Sequence, residues 1–184
     1  MMGGMESLRG HLLVASPALI EPNFRRTVVL VGEHNEEGAV GVVLNRATDA
    51  RVVEAVPPLA QLAEEEDRLY VGGPVQPDSA VVIAEFDSPD AAELLVFDSI
   101  GFLIGDVDAE SAGGVRRARV FAGYAGWGPG QLEAELALSS WIVERAVLED
   151  VFTAAPDRLW NAVLLRKGGR YRLYAFMPPD PSAN

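Results

Sequence analysis

Two β-branched apolar runs, Thr27-Val28-Val29-Leu30-Val31 and Ala39-Val40-Gly41-Val42-Val43-Leu44, flank the polar stretch Glu33-His34-Asn35-Glu36-Glu37-Gly38. Valine carries two heavy atoms on Cβ, which suits a pleated strand better than a helix. A polar connection closed by a glycine between such runs predicts a β-hairpin with its loop over 33–38. Further strands are expected at Leu12-Leu13-Val14-Ala15, closed by Ser16-Pro17, and at 68–71, 80–86, 101–105 and 119–124.

Helical signals are sparser and come later. Thr48 or Asp49 can cap a short helix that Pro57-Pro58 must break, and 59–66 offers a second piece. Leu132, Leu136, Val143 and Val147 recur at helical spacing, with Trp141 and Ala146 widening the stripe, and Glu133 and Glu135 suit the first turns. One long helix is therefore expected over 132–147. Another is expected from Pro156 to Gly168-Gly169, followed by a last strand over 171–176. Strands in hairpin-like succession followed by helices argue for an α+β fold with a mostly antiparallel sheet. A chain of 184 residues suits a single domain, expected over 7–177, with 1–6 and 178–184 as flexible termini.

Composition excludes several chemistries. With no cysteine, disulfides, thiolate metal sites and cysteine nucleophiles are ruled out. The net charge of −12 opposes nucleic-acid binding, which draws on cations laid against phosphates. The one basic run, Arg116-Arg117-Ala118-Arg119, leads into a strand and reads as a solvated strand start with arginines on both faces. No apolar run approaches the roughly 20 residues that span a bilayer. The N-terminus lacks a signal-peptide pattern, so a cytoplasmic location is expected and a membrane partner is not.

Three turn regions carry the candidate ligand-binding residues. Gly126-Trp127-Gly128-Pro129-Gly130 follows a strand and opens a helix, a place where backbone N–H groups can hold an anion. Tyr124 and Gln131 flank it. The turn lacks the lysine and hydroxyl of a P-loop, and a tight turn anchored by Trp127 is the plainer reading. Gly72-Gly73-Pro74 permits close backbone approach and serves equally well as a turn at a strand end. His34, beside Glu33 and with Asn45 at another strand end, has the types for a general base oriented by a carboxylate. The only other histidine, His11, has no metal-ligand spacing to it, and no serine sits in a nucleophile elbow. No catalytic residue, metal or cofactor is assigned.

Several ordered segments together resemble the YqgE/AlgH family of bacterial proteins. They are Leu8-Arg9-Gly10-His11-Leu12-Leu13-Val14-Ala15-Ser16-Pro17, Asn23-Phe24-Arg25-Arg26-Thr27-Val28, Glu33-His34-Asn35, 38–46, Val71-Gly72-Gly73-Pro74-Val75, and 123–136 closed by Trp141. Ala47 stands where the family usually has proline, and 86–98 shows little of its pattern. The resemblance implies a branched, strongly bent sheet forming a partial barrel, flanked by helices. It implies no reaction, since the family has no established one.

The functional expectation is a non-catalytic binding or regulatory domain with a small-molecule or protein partner, its oligomeric state left open. The alternative is a small-molecule or nucleotide-binding enzyme using a cleft near the glycine-rich turns, with His34 or Glu33 as base. A transcriptional regulator is disfavoured by the acidic charge.

Overall fold

The computed structural model describes residues 6–103, 107 and 112–178. The greater part of both terminal stretches, and Ile104 and Gly105 of the strand expected at 101–105, lie outside them. Ten strands are described: β1 His11–Ala15, β2 Val28–Asn35, β3 Gly38–Val43, β4 Ala47–Arg51, β5 Arg68–Val71, β6 Val75–Phe86, β7 Leu94–Phe97, β8 Ile100–Leu103, β9 Val115–Trp127 and β10 Trp141–Arg145. The described helices are short: α1 Val52–Ala55, α2 Gln131–Ala137, α3 Leu148–Val151, α4 Leu159–Lys167 and α5 Tyr171–Tyr174.

The strands form one mixed sheet in the order β10-β1-β2-β3-β9-β6-β8-β7, which does not close on itself. Every pairing along this path is antiparallel. The branch lies on β9. One edge of that strand pairs with β6 for most of its length, while the other is shared by β3 at Ala125–Trp127 and by β5, in parallel, at Phe121 and Ala122. The α+β class and the bent, branched sheet therefore stand.

Strand alternation explains why β1, β2 and β3 read as continuous apolar runs. Leu12, Val14, Val28, Leu30 and Val42 face one buried cluster, which holds Trp160, Val163 and Leu164 of α4. Leu13, Ala15, Val29, Val31 and Val43 face a second cluster, with Leu132 of α2, Trp127 and Trp141. A sheet buried on both faces has no polar face to alternate. Each large side chain so buried adds roughly 1.5–3 kcal/mol of transfer free energy.

Four local expectations change. Thr48 and Asp49 cap no helix but lie in strand β4, and α1 starts only at Val52. The hairpin loop is shorter than 33–38: β2 runs to Asn35 past an irregularity between Val31 and Glu33, so Glu33 and His34 are strand residues. The long helix over 132–147 is instead α2, then β10, then α3. Ser139 takes a left-handed backbone (φ 59°) that stops the helix, and Trp141–Arg145 pairs with all five residues of β1. Tertiary pairing of Trp-Ile-Val overrides the helical spacing. The last strand over 171–176 is helix α5, entered through Gly168 and Gly169, both at positive φ.

The outer edge of β10 is sealed from within. Lys167 donates to the Val143 carbonyl and Arg166 to that of Arg145, so the end of α4 occupies acceptors that an edge strand otherwise presents to other chains.

Candidate functional site

The Gly72-Gly73 turn meets β9 at Gly123 and Tyr124, not at the 126–130 turn, and backbone fills the meeting point. Gly72 donates its N–H to Ala122 and accepts from the N–H of Val43 at the fork between β3 and β5. A Cβ at Gly72 would overlap the Gly123 carbonyl, and one at Gly73 would overlap the Tyr124 backbone. Reciprocally, a Cβ at Gly123 would sit 2.5 Å from the Gly73 oxygen, and Gly123 has φ +73°. Two backbones cross here at a distance that only glycine allows. Pro74 is exposed beyond the crossing, and Tyr124 pairs with Val75 while packing partly into the core.

Trp127 is 6% exposed, its ring tilted on Phe24 and edge-on to Trp141. Its Nε1 donates to Glu135 at 2.7 Å. Gln131 folds back so that its Oε1 accepts the Gly128 N–H at 3.0 Å, tightening the turn into α2. A Cβ at Gly126 would meet the Val75 and Tyr124 side chains at ordinary contact distance, so this glycine makes no close backbone crossing. Asn45 clips two neighbours, accepting from Val28 N–H and donating to the Arg26 carbonyl.

His34 is buried, and both ring nitrogens are engaged. Nδ1 accepts the backbone N–H of Leu8 at 3.0 Å, so the ring proton lies on Nε2, which donates to Glu133 Oε1 at 2.5 Å. That hydrogen bond holds the Glu133 carboxyl below its ordinary value, against a smaller opposing effect of burial. The ring thus ties the N-terminal segment to β2 and α2. Among the described residues, no group of three or more His, Cys, Asp or Glu could hold a metal ion.

An open cleft lies elsewhere. It is about 1090 Å³ in volume and has three walls. The N-terminal half of β9 forms its floor, β4, β5 and 61–68 form one side, and Phe152–Asp157 forms the other. Of the nine candidate residues only Asn45 lines it, beside Arg46, Arg68, Arg116, Arg117 and Arg119. Glu64, Glu66, Asp67 and Asp157 also line it, so its charge is mixed.

These arginines differ in how they are held. Arg46 is spent on the carbonyls of Pro22, Asn23 and Arg25. Arg116 and Arg117 share the buried Glu85, at 3.2 and 2.8 Å. Arg117 also lies over the Phe152 ring at 4.3 Å, and Arg119 lies over Tyr70 at 4.6 Å. One amino group of Arg119 donates to the carbonyls of Val151 and Thr153, at 3.1 and 3.0 Å. Those carbonyls leave the end of α3, where helix acceptors lack internal partners. The α3 turn is itself fixed by Asp150, which accepts Val147 N–H and a two-pronged bond from Arg166. Burial pulls the Arg119 guanidinium below its ordinary value, partly offset by Tyr70 and Asp67.

Arg117 and Arg119 are two residues apart on β9 and so share one face, which turns the basic run from a solvated strand start into part of the cleft. The run alone signalled cations; their orientation depends on Tyr70 and Phe152 arriving from other elements.

Comparison with known proteins agrees with this architecture. The chain is 45% identical over 193 residues to a UPF0301 protein of Streptomyces coelicolor, with 100% of both chains covered. It is 38% identical over 181 residues to a UPF0301 protein of Mycobacterium tuberculosis, covering 95% of this chain and 90% of that one. A crystal structure of a Corynebacterium diphtheriae protein superposes with a TM-score of 0.83 at 30% identity, covering 96% of this chain and 95% of that one. The solution structure of the AlgH protein from Pseudomonas aeruginosa gives 0.71 at 30% identity, covering 97% and 98%. A family model described as AlgH-like matches residues 12–172. The chain belongs to the AlgH-like family, the YqgE/AlgH family that its sequence segments resemble, whose function is uncharacterised.

Proposed function

We propose that this protein is a non-catalytic binding domain that takes a small molecule, or a side chain of a protein partner, in the arginine-lined cleft. The observation that carries the reading is the contrast in availability of polar groups. The glycine crossing, Asn45, Gln131 and His34 spend their donors and acceptors on the fold. Arg117 and Arg119 instead hold stacked guanidinium planes beside open space. Stacking occupies the faces of the planar group and leaves its N–H edge to a ligand.

The reading is favoured over an enzyme based on His34, whose two nitrogens both have partners in a ring that is almost wholly buried. A nucleic-acid partner is opposed by the net charge of −12 and by the four acidic residues lining the same cleft. The reading sets this binding in the cytoplasm; separately, no helix in the described residues is long and apolar enough to cross a membrane.

A thermal-shift screen against central metabolites and nucleotides tests it. A ligand at a hundredfold over its dissociation constant should add about 2.7 kcal/mol of stability. A hit whose effect is lost in a cleft variant supports the reading. Turnover of a panel substrate abolished by His34→Ala overturns it.

A further inference from the structure

We infer that Arg119, with Arg117 beside it, is the seat for one oxyanion group, a carboxylate or phosphate monoester, on a small ligand. The inference rests on the cleft being a binding site and adds the chemistry it recognises. Arg119 is a partly buried cation that makes no ion pair with a carboxylate among the described residues, Asp67 acting on it only through space: its direct contacts are two neutral carbonyls and the π faces of Tyr70 and Phe152. Every other arginine of this β9 run has an anion, Arg116 and Arg117 on Glu85, and Arg116 on Asp87 as well. A cation withdrawn from water is ordinarily matched by an opposite charge. Here the space where that charge belongs opens into the cleft.

The donors are also laid out for such a group. Nε and the second amino group of Arg119 have no acceptor among the described residues, nor do the two terminal amino groups of Arg117. The two guanidinium carbons lie 4.3 and 6.0 Å from the centroid of the same Phe152 ring, and both side chains rise from one face of β9 and line the same cleft. A guanidinium edge matches a carboxylate or phosphate with two parallel hydrogen bonds. Glu64, Glu66, Asp67 and Asp157 on the surrounding walls repel a long polyanion more than a compact one.

Inorganic phosphate and succinate are the probes, titrated separately at constant ionic strength, with the arginine Nε–Hε signals followed by ¹H–¹⁵N NMR. The expected result is a saturable shift of the Arg119 signal with at least one probe. Response to phosphate alone assigns a phosphate ligand, and to succinate alone a carboxylate. Arg119→Gln should raise the dissociation constant roughly ten- to hundredfold, the worth of a charged hydrogen-bond pair. Arg117→Gln, on a more exposed side chain, should raise it less and guards against a variant that fails to fold. Shifts that do not saturate, or that sodium chloride reproduces, overturn the inference. A neutral metabolite that moves the Tyr70 and Phe152 signals while both anions leave Arg119 unchanged also overturns it, yet keeps the cleft as a binding site. Silence of the whole cleft to every compound removes both readings.

Discussion

The glycine crossing and the arginine cleft sit on the same strand, β9, and use it in opposite ways. Near Gly123 the strand is approached by Gly72 and Gly73 so closely that backbone touches backbone, and no space remains for a ligand. Upstream, at Arg117 and Arg119, long side chains rise from the sheet, stack on rings from β5 and the loop after α3, and border an open cleft. The more conspicuous motif in a sequence can thus be the one the fold consumes. Availability of hydrogen-bonding groups, rather than glycine content, separates a site from a joint.

The largest effect is expected from Gly73→Ala. The added methyl would overlap the Tyr124 backbone, where neither partner can move without opening the fork, so a loss of about 4 kcal/mol or failure to fold is expected in urea unfolding. A variant of near-native stability would show that the crossing is loose enough to admit other atoms. Arg119→Gln should cost less, about 1–2 kcal/mol, because it leaves the carbonyls of Val151 and Thr153 short of a donor at a partly hydrated site. It should remain folded by circular dichroism.

Glu133→Gln tests whether His34 belongs to the scaffold. The His34 ring N–H favours the ionised carboxylate in the folded state, so its contribution is complete above the ordinary value of 4.5. It is lost as pH falls through the lowered folded-state value. At pH 7 the variant should be about 1 kcal/mol less stable than the parent, and the gap should close as the pH drops below the ordinary carboxylate range. A constant gap from pH 7 to pH 3 would assign the loss to packing instead. The smallest effect is expected from Gln131→Ala, which removes one exposed bond to Gly128 N–H and should shift stability by about 0.5 kcal/mol.

What the sequence disclosed follows from the range of the interactions. The β2–β3 hairpin was readable because β-branched runs and Gly38 act locally. The family was readable from the order of its turns. The segment 132–147 was misleading because the residues that recur at helical spacing there include Trp141 and Val143, which alternate along a strand, and only β1 decides between the two. For the same reason His34 read as a loop residue: its partners, Leu8 and Glu133, come from the N-terminal segment and α2. The cleft was least legible of all. Arg119 becomes distinctive only when Tyr70 and Phe152 reach its faces and α3 ends beside it, none of which spacing along β9 can convey.

The most direct test of the account is the backbone chemical-shift map of the protein with the tightest compound from the metabolite screen. Perturbations are expected along 68–70, 115–120 and 152–157, with 72–74 and 124–131 unchanged. Perturbations concentrated at 72–74 and 124–131, with the arginine cleft silent, would contradict it.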